Sequence, residues 1–113
     1  MGSELQAQIE VVRYLDAVGA VYCHVPNGGG RRRVEAANLR QAGVRAGVPD
    51  LLVFGSRRRE DLPPIAIELK TERGRATEAQ LRWLRDLTAC GWSVAVCFGA
   101  AEAVEVLQRA GYG

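Results

Sequence analysis

Three residues of this sequence, Asp50, Glu68 and Lys70, have the types and spacing to build a small charged site. Glu68 and Lys70 lie two apart in "PIAIELKT" (64–71), which begins as an apolar run behind two prolines. The run reads as a β-strand over 65–70, and side chains two apart on a strand share a face. Glu68 and Lys70 therefore point the same way, with Ala66, while Ile65, Ile67 and Leu69 point the other way. A second apolar run, "DLLVFG" (50–55), precedes it across the polar turn "SRRREDLPP". The two runs read as buried strands of an antiparallel hairpin, which sets the start of the first beside the end of the second. Asp50 then falls near Glu68 and Lys70. Two carboxylates beside an ammonium suit a divalent cation, because Mg²⁺ takes one or two carboxylates together with water and substrate phosphate. Such an ion acidifies a bound water and polarises a phosphoryl oxygen, and the ammonium stabilises charge building on the phosphate. Taken alone, Glu68-x-Lys70 also reads as an ion pair on a half-exposed strand.

The elements that must hold these residues follow from periodicity. Leu5, Ile9, Val12 and Leu15 recur at helical spacing and predict an amphipathic helix from Glu4 to about Val18, with Ser3 as N-cap and Gly19 as stop. "AVYCHV" (20–25) is β-prone, and "NGGGRRR" is a loop behind Pro26. A short helix is expected over 34–43, ending at Gly43. Beyond the hairpin, Thr77 caps a helix whose Leu81, Leu84 and Leu87 share one face, and Gly91 ends it. "SVAVCF" (93–98) is a strand and "AAEAVEVLQRA" (100–110) a final helix. The order α, β, α, β, β, α, β, α implies an α/β fold, a mixed β-sheet flanked by helices.

With 113 residues, the chain is read as a single domain over 1–113. Its 48% apolar and 25% charged content argues against disorder. A net charge of +2 excludes little, but every basic residue except Lys70 is Arg, the better residue for forked contacts to phosphate. The three cysteines show no paired spacing, so neither a zinc site nor a disulfide framework is expected and a reducing cytoplasm fits. Cys23 and Cys97 lie in apolar runs and read as core thiols. The N-terminus lacks the pattern of a signal peptide, and no apolar run is long enough to span a bilayer.

"GVRAGVPDLLVFG" followed by "IAIELKTERGRATEAQLRWLRDLTACGWSVAVCFG" resembles the VRR-NUC branch of the PD-(D/E)xK nucleases. Gly47-x-Pro49-Asp50, Glu68-x-Lys70, the segment Gly74 to Gln80 and the "VAVCFG" strand carry the likeness, and "SELQAQIEVVRYLDAVG" looks like the family's first helix. The resemblance implies a restriction-endonuclease-like core and a metal-dependent endonuclease. Asp50 and Glu68 would be ligands of Mg²⁺ or Mn²⁺, joined by the Leu69 backbone carbonyl. Lys70 would be the catalytic lysine and Gln80 a glutamine beside the active site. The family also has an acidic residue on its first helix. Glu4 and Glu10 compete for that place; Glu4 is chosen because it borders the Leu5, Ile9 and Val12 stripe, with Gln8 as companion, whereas Glu10 reads as solvent-facing. The short length is similar to stand-alone phage and bacterial members that resemble junction-resolving enzymes, which implies branched DNA and a homodimer.

Arginines frame this constellation. Arg31, Arg32 and Arg33 follow a glycine loop, and Arg73 and Arg75 flank Gly74 just past the Glu68 strand. Both groups are expected to contact a nucleic-acid backbone. Arg57, Arg58 and Arg59 lie at the far end of the hairpin and read as a solvated turn or a remote DNA contact. His24 reads as structural or DNA-contacting. Trp83 and Trp92 read as core or interface residues, and the shortage of exposed-looking aromatics argues against a surface built on base stacking. A flap, nicking or restriction-type nuclease on the same core, or a binding domain without activity, are the alternatives.

Overall fold

The computed structural model describes residues 3–26, 33–71 and 73–113, without the side chains of residues 33 and 34. The elements are α1 (Glu4–Ala17), β1 (Ala20–His24), α2 (Arg33–Gln41), β2 (Leu51–Ser56), β3 (Ile65–Lys70), α3 (Glu78–Ala89), β4 (Ser93–Phe98) and α4 (Ala100–Arg109). The expected order holds, and β3 and β4 have the expected bounds. The sequence reading runs the second helix to Gly43, whereas α2 ends at Gln41.

The four strands pair in the order β1-β2-β3-β4. β1 pairs antiparallel with β2 and β2 with β3, while β3 and β4 run parallel through the α3 crossover. One sheet face carries Ile65, Ile67, Leu69 and Cys97, and these join Val11 and Leu15 of α1 with Ala103 and Leu107 of α4 in one core. On the other face α3 approaches β4, and Ala66 and Glu68 there are buried too. β3 is thus covered on both faces, unlike the half-exposed strand that an ion-pair reading of Glu68-x-Lys70 requires.

Several expectations are corrected by how the elements turn. α1 buries Val11 and Leu15, with Ala7, Tyr14 and Val18 against the core, and leaves Leu5 and Ile9 on its outer side. Two apolar stripes fit the helix at near-helical spacing, and the one carrying small Ala7 docks. Cys23 is exposed and only Cys97 is a core thiol, because β1 is an edge strand. Phe54 and Leu81 are also exposed, so β2 is not buried throughout and only Leu84 anchors α3 firmly. The half-buried Trp92 meets Phe54 edge-on, with ring centroids 5.6 Å apart.

The three hairpin arginines do not form a merely solvated turn. Arg57 Nη1 donates to the Ala20 carbonyl at 2.8 Å, Arg58 Nη1 to Ala17 at 2.7 Å and Arg59 Nη1 to Gly111 at 2.8 Å. Ala17 ends α1 and Gly111 lies just past α4, where carbonyls lack intrahelical donors and a cation is favoured. The C-terminus is pinned by Tyr112, whose hydroxyl donates to Pro63 at 2.8 Å and whose carbonyl accepts from the Tyr14 hydroxyl.

The loop entering β2 fixes where α3 begins. Gly47 has φ +86°, and a Cβ there would lie 2.7 Å from the Ala79 carbonyl carbon. Beside it, Trp83 Nε1 donates to the Ala46 carbonyl at 3.0 Å. Only glycine permits this approach of the loop to α3. Gly43→Ala, at φ +105° in open space, should reveal the backbone cost alone. Gly47→Ala should cost about 1–3 kcal/mol more, as expected for forced overpacking. Urea unfolding of both variants checks this, and equal losses would refute the close approach.

Candidate active site

Asp50 precedes β2 directly and is tied down at both its backbone and its side chain. Its carbonyl accepts from Val25 N at 3.1 Å and from His24 Nδ1 at 2.7 Å, so His24 is exposed at the site's edge and holds the Asp50 backbone. Its Oδ2 accepts from the Leu69 N–H at 2.8 Å. The register Leu51↔Ile67 explains this: one residue earlier on β2 meets the end of β3. The hairpin argument therefore places Asp50 correctly. It is the Leu69 N–H, not the carbonyl named in the sequence reading, that meets the Asp50 side chain here and orients it.

Glu68 is 2% exposed. Its Oε2 accepts from Gln80 Nε2 at 3.1 Å and lies 3.5 Å from Lys70 Nζ. Its Oε1 is buried and has no hydrogen-bond partner among the described residues. Burial, then the nearby charge of Asp50, raise the Glu68 pKa from 4.5 to about 7, against the lowering effect of Lys70. A carboxylate so placed must take a proton or a cation to be tolerated.

Gln80 is positioned by the start of α3. Thr77 Oγ1 accepts from Gln80 N at 3.2 Å, and Gln80 Oε1 accepts from Thr77 N at 2.8 Å, a reciprocal capping box. With Oε1 held by the cap, Nε2 is the atom left to face Glu68. Thr77 is thus a site-building residue whose part beyond the cap the sequence reading missed, although a threonine three residues before a glutamine is its visible signal.

A cleft of about 580 Å³ adjoins this cluster and shares Lys70 with it. Glu4 and Glu10 of α1 both line the cleft, and Arg73 stands on its rim. Glu10 is exposed, as expected, yet it also borders the cleft: Glu4 and Glu10 sit three residues either side of Ala7, on two flanks of the docked face. Gln8 does not line the cleft. Arg75 is exposed beyond it, and Gly74 packs against the Lys70 side chain, where a Cβ would come within 3.3 Å. Arg31 and Arg32 lie outside the described residues, as does the side chain of Arg33.

The donor set fits a hard cation. Asp50 and Glu68 offer oxygen atoms, one of them orphaned and buried, and among the described residues no three His, Cys, Asp or Glu side chains gather to make a closed metal cage. Two carboxylates completed by carbonyl, water and phosphate oxygens match Mg²⁺ better than Zn²⁺.

The raised pKa has a stability consequence for the metal-free chain. Between pH 4.5 and 7 folded Glu68 keeps a proton that the unfolded chain has released. Its contribution is thus fully favourable below pH 4.5 and is lost as pH rises to 7. Glu68→Gln in chelator should therefore be more stable than the parent above pH 7, by about 2–3 kcal/mol, with the gain vanishing below pH 4.5. Thermal melts across that range decide it; a constant difference would contradict the assignment.

Comparison with known proteins agrees with this geometry. The family model of the VRR-NUC domain matches residues 3–101. A solved structure described as a VRR_NUC domain protein superposes with a TM-score of 0.73 at 25% identity, covering 96% of this chain and 88% of its own. A second, a VRR_NUC domain, gives a TM-score of 0.65 at 23% identity over 96% and 97% of the two chains, a likeness of fold. None of the curated protein sequences is significantly similar to the chain. With its sheet, its helices and nearly its whole length accounted for by one family, the chain belongs to the VRR-NUC domain family, whose members are generally nuclease domains.

Proposed function

We propose that the protein is a Mg²⁺- or Mn²⁺-dependent endonuclease that hydrolyses DNA phosphodiester bonds and selects branched DNA such as a four-way junction. The observation that carries this reading is the buried Glu68 carboxylate, with one oxygen unpartnered beside Asp50 and with Lys70 within ion-pair distance of the other.

Asp50, Glu68 and the Leu69 carbonyl would hold the ion, which when bound supplies a more acidic water and neutralises phosphate charge. Water adds to phosphorus and the bond to the 3′ oxygen breaks, leaving a 5′ phosphate and a 3′ hydroxyl. Lys70, largely buried, orients the attacking water and stabilises negative charge on the phosphate. Gln80 keeps the Glu68 carboxylate in one orientation. Glu4 supplies the acidic residue of the first helix and activates or orients water; Glu10, which lines the same cleft, is the competing choice. Arg73 and Arg75, with Arg31, Arg32 and Arg33, contact the DNA backbone. One site cuts one strand, so symmetric cutting calls for a two-fold dimer. No described helix is long and apolar enough to cross a membrane, and the proposed setting is the cytoplasm.

Labelled four-way junction, flap and linear duplex, each with Mg²⁺, Mn²⁺ or chelator, test the activity. Cleavage should require metal, and Asp50→Ala and Lys70→Ala should each lose at least about a hundredfold in rate, the usual scale for removing a group that acts directly on the reacting atoms. Metal-dependent cleavage surviving both substitutions would sink the site. Light scattering checks the assembly: a dimer mass is expected, and a monomer at the cleaving concentration would refute symmetric cutting.

A further inference from the structure

We infer that the cleft beside Lys70 is a slot for one unpaired nucleobase of the cleaved strand, with the Phe98 ring as its stacking surface. This rests on the nuclease reading and adds what part of the substrate the protein recognises.

The slot lies outside the carboxyl ends of the parallel strands β3 and β4, where α/β sheets leave room for ligands. Phe98 ends β4 in register with Lys70, and parallel partners face the same way, so the ring rises from the strand position next to the ammonium. It is 43% exposed and lines the cleft. Its backbone N–H donates to Glu102 Oε1 at 3.3 Å, which ties it to α4. The neighbouring lining from Ala7, Gly99 and Ala100 carries almost no side chain, so among the described residues nothing fills the space beside the ring. At about 580 Å³ the cleft is within the range of small-molecule sites and holds a nucleoside.

Charge sorts the parts of that nucleoside. Lys70 and Arg73 are the cations of the cleft and favour phosphate at their edge, while Glu4 and Glu10 repel phosphate from the α1 side. What fits between them is an uncharged, flat group, and carboxylates accept hydrogen bonds from exocyclic amino groups such as cytosine N4. A base inside a continuous duplex has both faces stacked and cannot reach Phe98. A base at a branch, flap or mismatch is released at least cost. The slot thus turns local unstacking into selectivity for the phosphate that Lys70 faces.

The test is an abasic scan of a branched DNA, read by fluorescence anisotropy with Ca²⁺ replacing Mg²⁺ so that the strand stays intact. Removing the base at one position next to the cut should weaken binding about 5- to 100-fold, the cost of losing one base–aromatic stack. Phe98→Ala should bind intact and abasic strands alike, and Phe98→Tyr should restore the difference. Phe98 is substantially exposed, so the Ala variant should fold; if it does not, Phe98→Leu keeps apolar bulk without the aromatic face and should also lose the difference. A flat scan, or a penalty that persists without the ring, overturns the slot while leaving the nuclease intact. Failure to bind any DNA overturns the nuclease reading, and the slot with it.

Discussion

A carboxylate on the inner strand of a small sheet is costly, and the surroundings of Glu68 can be understood as the answer to that cost. Asp50 approaches on one side with its own orientation fixed by the Leu69 N–H. Gln80 and Lys70 reach Oε2, and Oε1 is left without a partner among the described residues. Each neighbour is fixed by structure of its own: the hairpin register for Asp50, the capping box for Gln80, the packing of Gly74 for Lys70. Like charges held this close are unfavourable without a counter-charge. The arrangement stores electrostatic strain that a proton or a divalent cation relieves, and it persists because these local structures over-determine it.

The loop before β2 and the start of α3 are coupled for the same purpose. Gly47 lies against Ala79, and Ala79 is the residue before Gln80. Trp83, one turn further, donates to Ala46. The segment that delivers Asp50 therefore also sets the height of α3, and through it the distance of the Gln80 amide from Glu68. The motif Gly47-x-Pro49-Asp50 acts as a spacer between two elements as well as a lead-in to the Asp50 carboxylate.

Most of this was legible in the sequence where one rule acts alone. The period of two in "IAIELK" and its antiparallel partner place Asp50, Glu68 and Lys70 together, and the strand has the expected bounds. Thr77 announces α3. Legibility fails where two patterns compete or where contacts are distant. In α1 the large residues Leu5 and Ile9 outweigh Ala7 in any hydropathy reading, yet small Ala7 takes the inner face because the cleft and α4 lie there. The same rotation brings Glu10 to the cleft. The hairpin arginines look like surface charge until α1 and α4 bring their terminal carbonyls to them. Phe98 reads only as the last residue of a strand, and the sequence does not announce that its ring is exposed.

That exposure changes the view of how this protein would meet DNA. The sequence has few aromatics and many arginines, which points to a surface that follows phosphates and ignores bases. One ring is enough to alter this if it stands where the chemistry happens. Among the described residues the cations lining the cleft are Lys70 and Arg73, and two carboxylates of α1 line it as well. A phosphate backbone pressed along the whole cleft would meet repulsion on its α1 side. A strand that bends there, turning its phosphate toward Lys70 and its base toward Phe98, satisfies both walls. Duplex DNA bends in this way most readily at a break in stacking, so under the proposed nuclease reading this balance of charge would favour branched substrates before any contact outside the cleft is considered.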